Sequence, residues 1–151
     1  MSEANAIRIA NVKYVGTGLQ LIVRWTNNQE MTVSLEEPVY RLKGLRPLRT
    51  QAVFARAAVG EDGCSVAWPG DIDIGADRLW EMALEQNGHA DAAEFIRWRW
   101  KHGLSLTAAA EALGLSRRTV AYYVSAEQEV PRTVLLALKG WEQEERRSAV
   151  V

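Results

Sequence analysis

The run from Leu106 to Tyr123 is the part of this sequence that leaves the chain least choice. Leu106 to Leu113 reads as a short helix in which Ala109 and Ala110 are small where another helix must approach closely. Gly114 stands where the chain turns through a positive φ, which a residue without Cβ adopts freely. Ser116 follows as a cap, its hydroxyl placed to accept from a free N–H in the first turn of a second helix. Helical spacing puts Leu113, Leu115, Val120 and Tyr123 inside the angle between the two helices. It leaves Ser116, Arg117, Arg118, Thr119 and Tyr122 on the outer side.

Two helices joined by so tight a turn are the layout of a helix-turn-helix, the motif whose second helix enters the DNA major groove. Ala110, Gly114 and Val120 fall at its most constrained positions. The wider segment from Phe95 to about Trp141 resembles the lambda-repressor-like (XRE-type) group of helical DNA-binding domains. The resemblance rests on Arg99, Gly103-Leu104-Ser105, Ala109-Ala110, Leu113-Gly114-Leu115-Ser116 and Thr119-Val120, with Pro131-Arg132, Leu135 and Leu138 as the start of a fourth helix. Two departures stand out. Leu106 occupies the place where many repressors carry a glutamine that braces the recognition contacts, and Ser125 to Val130 lacks the glycine often found there.

Charge agrees with this only locally. The 151 residues carry a formal net charge of −1, and the sequence pI is about 6.1. Between Arg97 and Arg118, however, Arg97, Arg99, Lys101, Arg117 and Arg118 face the single acid Glu111, a balance of +4. The acids gather at Glu61-Asp62, from Asp71 to Asp77 and from Glu142 to Glu145, so charge is segregated along the chain. A hydrophobic share of 48% with 25% charged residues is that of a globular protein. No apolar run is long enough to span a bilayer, and the first residues lack a basic stretch followed by an apolar core. One cysteine, Cys64, excludes an internal disulfide framework. These features predict a cytoplasmic protein with no membrane partner.

The N-terminal half has the other periodicity. Ile7, Ile9, Val12 and Tyr14, then Leu19, Ile22-Val23 and Trp25, then Met31, Val33 and Leu35 mark three strands. Gly16-Thr17-Gly18 and Thr26-Asn27-Asn28-Gln29 supply turns short enough for an antiparallel meander. Pro38, Gly44 and Pro47 restrict the next segment to one short helical turn around Val39 to Lys43. A short helix or extended crossing fits Leu48 to Ala55. A fourth strand is expected within Phe54 to Val59 and a fifth through Cys64, Val66 and Trp68. Asp71 to Gly75 reads as a surface loop and Ala76 to Gln86 as an amphipathic helix. Leu45, Pro47-Leu48, Phe54, Gly63 and the run from Val66 to Asp73 resemble a small uncharacterised bacterial α+β domain family found near toxin–antitoxin-like genes. The resemblance implies architecture and no chemistry, and Trp68-Pro69-Gly70-Asp71 is explained as a strand end and a turn.

Asn87-Gly88-His89-Ala90 is the expected junction, with Gly88 ending one helix and Asp91 capping the next. The fold class is therefore α+β: a small antiparallel-sheet α+β domain over residues 1–87, then an all-α lambda-repressor-like helix-turn-helix domain over residues 88–151. In the latter, Phe95, Trp98 and His102 form the core stripe of the first helix, and Ile96 and Trp100 a second stripe. Val134, Leu135, Leu138 and Trp141 line the last helix, which Pro131 opens. That stripe exceeds the needs of one small core, and in this group the last helix often supplies a dimer contact. The tail from Glu142 to Val151 reads as a frayed end.

The residues expected on DNA follow from the motif. Ser105 and Thr107, at the start of the second helix, are placed for a phosphate. Arg117 and Arg118 suit guanine O6 and N7, and Thr119 a base edge or thymine methyl. Ser116 caps this helix, Tyr122 suits a phosphate or sugar, and Ser125 lies one turn on.

Catalysis finds no foothold. His89 and His102 lack metal-ligand spacing to Cys64 or to each other. Cys64 has no basic neighbour in sequence and reads as a buried, inert thiol. Asp71, Asp73 and Asp77 lack the glycine and terminal glutamate of a calcium loop, and no phosphate-binding glycine loop occurs. The chain reads as no enzyme, with no cofactor and no metal. It reads instead as a dimeric, bacterial-type transcriptional regulator of double-stranded DNA, antitoxin-like and autoregulatory, with an N-terminal domain that binds a protein partner or assists oligomerisation. The alternative is a protein-interaction adaptor whose helix-turn-helix no longer binds DNA.

Overall fold

The computed structural model describes residues 7–150, which divide into two compact units between Asn87 and Gly88. The first unit is α+β with two small antiparallel sheets; the second is helical.

In the first unit, β1 (Ile9–Tyr14), β2 (Gln20–Trp25) and β3 (Glu30–Ser34) form the meander in the order β1-β2-β3. Alternation sets the buried face: Leu21, Val23 and Trp25 of β2 and Val33 of β3 are fully buried, while Arg24, Glu30 and Thr32 are exposed. Each such aliphatic side chain contributes about 1.5–3 kcal/mol by leaving water. Asn28 takes the left-handed conformation (φ 67°) in the β2–β3 turn, as a short polar side chain permits. The register of β1 against β2 shifts between Ile9 and Asn11.

Helix α1 (Glu36–Arg41) begins three residues earlier than the prolines suggested. Pro38 lies in its first turn, where the missing N–H costs no helical hydrogen bond. Pro47 is likewise accommodated in a 3-10 segment, Lys43–Arg49, ahead of α2 (Gln51–Phe54). The second sheet has the order β4 (Ala58–Val59), β5 (Ser65–Trp68), β6 (Ile72–Gly75).

Two expectations are corrected here. Asp71–Gly75 is not a loop, because Ile72–Gly75 is strand β6, with Trp68 opposite Ile72 and Val66 opposite Ile74. The isoleucines supply a period of two that the flanking aspartates concealed, and Gly70 and Asp71, both at positive φ, close the hairpin. Cys64 is exposed, not buried. It ends the 3-10 turn Glu61–Gly63 with helical φ and ψ (−80°, −10°) and so stands outside the alternation that buries Val66 and Trp68. Phe54 is the aromatic hub of this unit: Tyr14 meets it edge-on at 5.7 Å, Trp68 lies 5.8 Å away, and the Trp68 indole N–H donates to the Phe54 carbonyl at 2.9 Å. Helix α3 (Ala76–Gln86) buries Leu79, Trp80, Ala83 and Leu84.

The second unit holds α4 (Ala90–Lys101), α5 (Leu106–Leu113), α6 (Arg117–Val124) and α7 (Arg132–Val150). Phe95, Trp98, Leu106, Ala109, Ala110, Val120, Tyr123, Val130 and Leu138 form its core. Val134, Leu135 and Trp141 pack against that core, so the apolar stripe of α7 is used within its own unit. Asp91 does not cap α4; its carboxylate accepts from the Val130 N–H at 2.7 Å and so ties the start of α4 to the segment before α7. Pro131 stands one residue before α7, its carbonyl accepting from the Val134 and Leu135 N–H groups. The charged tail does not fray into coil: α7 runs unbroken to Val150. Ile96 is buried and Trp100 half-buried.

Candidate nucleic-acid interface

Helices α5 and α6 take their boundaries from side chains close by in sequence. The Ser105 hydroxyl accepts from the Ala108 N–H at 3.0 Å and starts α5. Gly114, at φ 69° and ψ 31°, ends it, and the Leu115 N–H donates back to the Ala110 carbonyl at 2.9 Å. The Ser116 hydroxyl then accepts from the Thr119 N–H at 3.0 Å and starts α6. Each cap of this kind is worth about 1 kcal/mol, so the turn Gly114-Leu115-Ser116 is held from both sides.

Leu106, the first residue of α5, is only 1% exposed and belongs to the core. Its place is taken by packing, which leaves Ser105 and Thr107, both exposed, as the polar groups at the entry to α5. On α6, Val120 and Tyr123 point into the core, with Phe95 5.5 Å from the Tyr123 ring. Arg117 and Arg118 are exposed on the first turn, and Thr119 and Tyr122 are half-buried.

Five of the polar residues on α6 and at its ends have partners within this segment. The Ser116 and Thr119 hydroxyls lie 2.9 Å apart. The Arg118 Nε donates to the Tyr122 hydroxyl at 2.7 Å, and its guanidinium carbon lies 5.4 Å from the centre of the Tyr122 ring. Ser125, which ends α6, donates its hydroxyl to the Tyr122 carbonyl at 3.3 Å. Arg117 makes no side-chain hydrogen bond or ion pair among the described residues. Two cations on the first turn oppose the positive end of the helix dipole, a cost of some tenths of a kcal/mol each unless an anion approaches.

Two further basic residues of the sequence stretch, Arg99 and Lys101, are engaged elsewhere. Arg99 donates to the Leu104 carbonyl at 3.0 Å and holds the α4–α5 connection. Lys101 pairs with Glu142 of α7 at 3.1 Å. His102, the cap residue ending α4, meets the same Glu142 oxygen at 2.7 Å and packs 4.8 Å from the Trp141 ring. The His102 hydrogen bond, and after it that of Lys101, holds the Glu142 carboxyl below the usual carboxylate range. On α5 and α6 the basic residues are Arg117 and Arg118, and both are exposed. Sequence reasoning missed Glu142, which lies 41 residues from Lys101 and carries no local signal.

A solved structure shares this architecture: that of NE0471 from Nitrosomonas europaea ATCC 19718, described as a "Putative DNA Binding Protein". It is 34% identical in sequence, with a TM-score of 0.71, over 94% of this chain and 90% of that one. This chain belongs to the same family as the Nitrosomonas protein. The span shared with NE0471 is too long to leave out either unit. No protein-family model and no curated protein matches the chain.

Proposed function

We propose that the chain is a sequence-specific DNA-binding transcriptional regulator that inserts α6 into the major groove as the second helix of a helix-turn-helix. The observation that carries this reading is the polarity of α6. Its inner face is spent on the core through Val120 and Tyr123, and its first turn offers Arg117 and Arg118 to the outside. Phosphates and guanine acceptors relieve the two cations that the helix dipole opposes. The description of NE0471 as a DNA-binding protein agrees with it.

In this reading Ser105 and Thr107 meet a phosphate beside the N-terminus of α5, and the first turn of α6, which carries Arg117, Arg118 and Thr119, enters the groove. Ser116 and Ser125 fix the two ends of α6, and Tyr122 stands beside the groove contacts. The protein acts as a homodimer on a palindromic site with half-sites about 34 Å apart, one DNA turn. Because the inner stripe of α7 is occupied, its outer face, where Leu136 is exposed, is the surface left for that contact. The N-terminal unit binds a protein partner, and the regulator controls its own synthesis in the manner of an antitoxin.

The test is selection from a pool of random duplex DNA at two salt concentrations, beside an Arg117→Ala/Arg118→Ala double variant. Enrichment of a palindrome that weakens with salt and disappears in the variant is expected. No enrichment and no salt-dependent binding at micromolar protein overturns the reading in favour of a protein-interaction adaptor.

A further inference from the structure

The two arginines at the start of α6 differ in their surroundings. Arg117 is exposed and makes no side-chain hydrogen bond among the described residues. Arg118 is held one turn on by Tyr122, which accepts from Nε at 2.7 Å and lays its ring 5.4 Å beneath the guanidinium. Tyr122 suits this task. Its two side-chain torsions leave it little freedom, it is half-buried, and it sits between Ala121 and the core residue Tyr123. A guanidinium whose Nε is spent can no longer use its side edge, formed by Nε and one Nη. What remains is its tip, the Nη1 and Nη2 pair, whose parallel N–H groups match two acceptors side by side.

We infer that Tyr122 is a positioning residue that presents the tip of Arg118 to guanine O6 and N7, whereas Arg117 supplies sequence-independent charge to a phosphate. The inference rests on the DNA-binding reading above and divides its two arginines between specificity and affinity. A tethered fork loses little rotamer freedom when it binds and rejects a base that lacks the paired acceptors. A mobile cation follows the nearest phosphate and discriminates little. Tyr122 keeps its own hydroxyl proton, so a phosphate contact from the same oxygen is compatible with its hold on Arg118.

The experiment uses the full chain, the duplex selected by the wild-type protein, and a panel of duplexes each changed at one base pair. Tyr122→Phe keeps the ring and removes the acceptor. It is expected to lower the preference for guanine at one position of each half-site by about five- to tenfold, with helical circular dichroism and salt dependence unchanged. Arg118→Lys, which keeps the charge and loses the fork, is expected to lose the same preference. Arg117→Ala is expected to weaken all duplexes alike and to reduce the slope of log K against log salt by about one per protomer. If Tyr122→Phe discriminates as the wild type does, or weakens the whole panel evenly, the positioning role is wrong while DNA binding stands. If the wild-type protein selects no duplex, the DNA-binding reading fails and takes this inference with it.

Discussion

The side-chain amide of Gln86 pairs with both backbone groups of Ser34, accepting from its N–H at 2.7 Å and donating to its carbonyl at 3.0 Å. It sits where the next strand of the sheet would lie. The neighbouring Asn87 amide donates to the Thr32 carbonyl at 2.9 Å, so the last turn of α3 closes the outer edge of β3 with side chains. An uncovered edge is a template for pairing with another chain.

Replacing Gln86 with Ala should therefore lower stability by about 1–2 kcal/mol, the value of two partly exposed hydrogen bonds. It should also raise concentration-dependent association. Chemical denaturation and light scattering over a range of protein concentrations read both effects. Gln86→Glu keeps the acceptor for the Ser34 N–H but turns a second acceptor toward the Ser34 carbonyl. It should be no better than alanine at neutral pH, and a fully stable, monodisperse Gln86→Glu protein would argue against the edge-closing role.

Gly63 is fixed by its surroundings more than by its turn. It has φ 71°, and a Cβ there lies 2.5 Å from the Ile9 carbonyl oxygen and 3.3 Å from the Arg8 Cβ. The left-handed conformation costs any other residue about 1–2 kcal/mol, and the backbone of β1 cannot yield as a flexible side chain would. Gly63→Ala should destabilise the protein by about 2–5 kcal/mol, seen as loss of soluble expression or a large fall in the denaturation midpoint. Gly44→Ala has open space around its Cβ and an ordinary φ, so it serves as the control and should change little.

What could be read from the sequence was decided by short range. Ser105, Gly114 and Ser116 act on atoms within four residues, and the alternation of Val23 and Trp25 sets the buried face of β2 without reference to anything distant. The errors came where a partner lies far along the chain or where two signals compete. Asp91 looked like a cap, but its carboxylate serves Val130, 39 residues away. The aspartates at 71 and 73 outweighed the isoleucines between them, although β6 needs only one face apolar. The Arg118–Tyr122 hydrogen bond rests on a four-residue spacing that many helical pairs share, so its geometry shows only in the structure. In the last helix the apolar stripe looked surplus because the sequence does not show that Trp98 lies 5.3 Å from Trp141 and helps absorb it.

The segment after α6 lacks a glycine that its backbone would accept. Ala126 has φ 61°, a conformation in which its Cβ crowds the following carbonyl. Ala126→Gly removes that strain and adds some freedom to the unfolded chain. The balance should stabilise the protein by about 0.5–1 kcal/mol, a rise of a few degrees in thermal midpoint. An unchanged or lower midpoint would mean that the Ala126 methyl group contributes packing that outweighs the strain.

Glu142 gives the second unit an acid-sensitive tie between α4 and α7. A carboxylate can only accept, so its 2.7 Å contact with His102 requires the proton on Nε2 of the ring, and Lys101 donates to the same oxygen at 3.1 Å. The His102 hydrogen bond, followed by that of Lys101, lowers the pKa of Glu142 from its ordinary value of 4.5. A group whose pKa is depressed by folding stabilises the folded state fully above its unfolded pKa, and the contribution fades as pH falls through the folded value. The tie should therefore be complete at pH 6 and be lost progressively below about 4.5. Glu142→Gln should be less stable than the wild type at neutral pH, with the difference shrinking as the solution is acidified through that window. Urea titrations of both proteins from pH 6 to pH 3 measure the two curves. Parallel curves, with the difference constant across the window, would place the acid sensitivity in some other carboxylate.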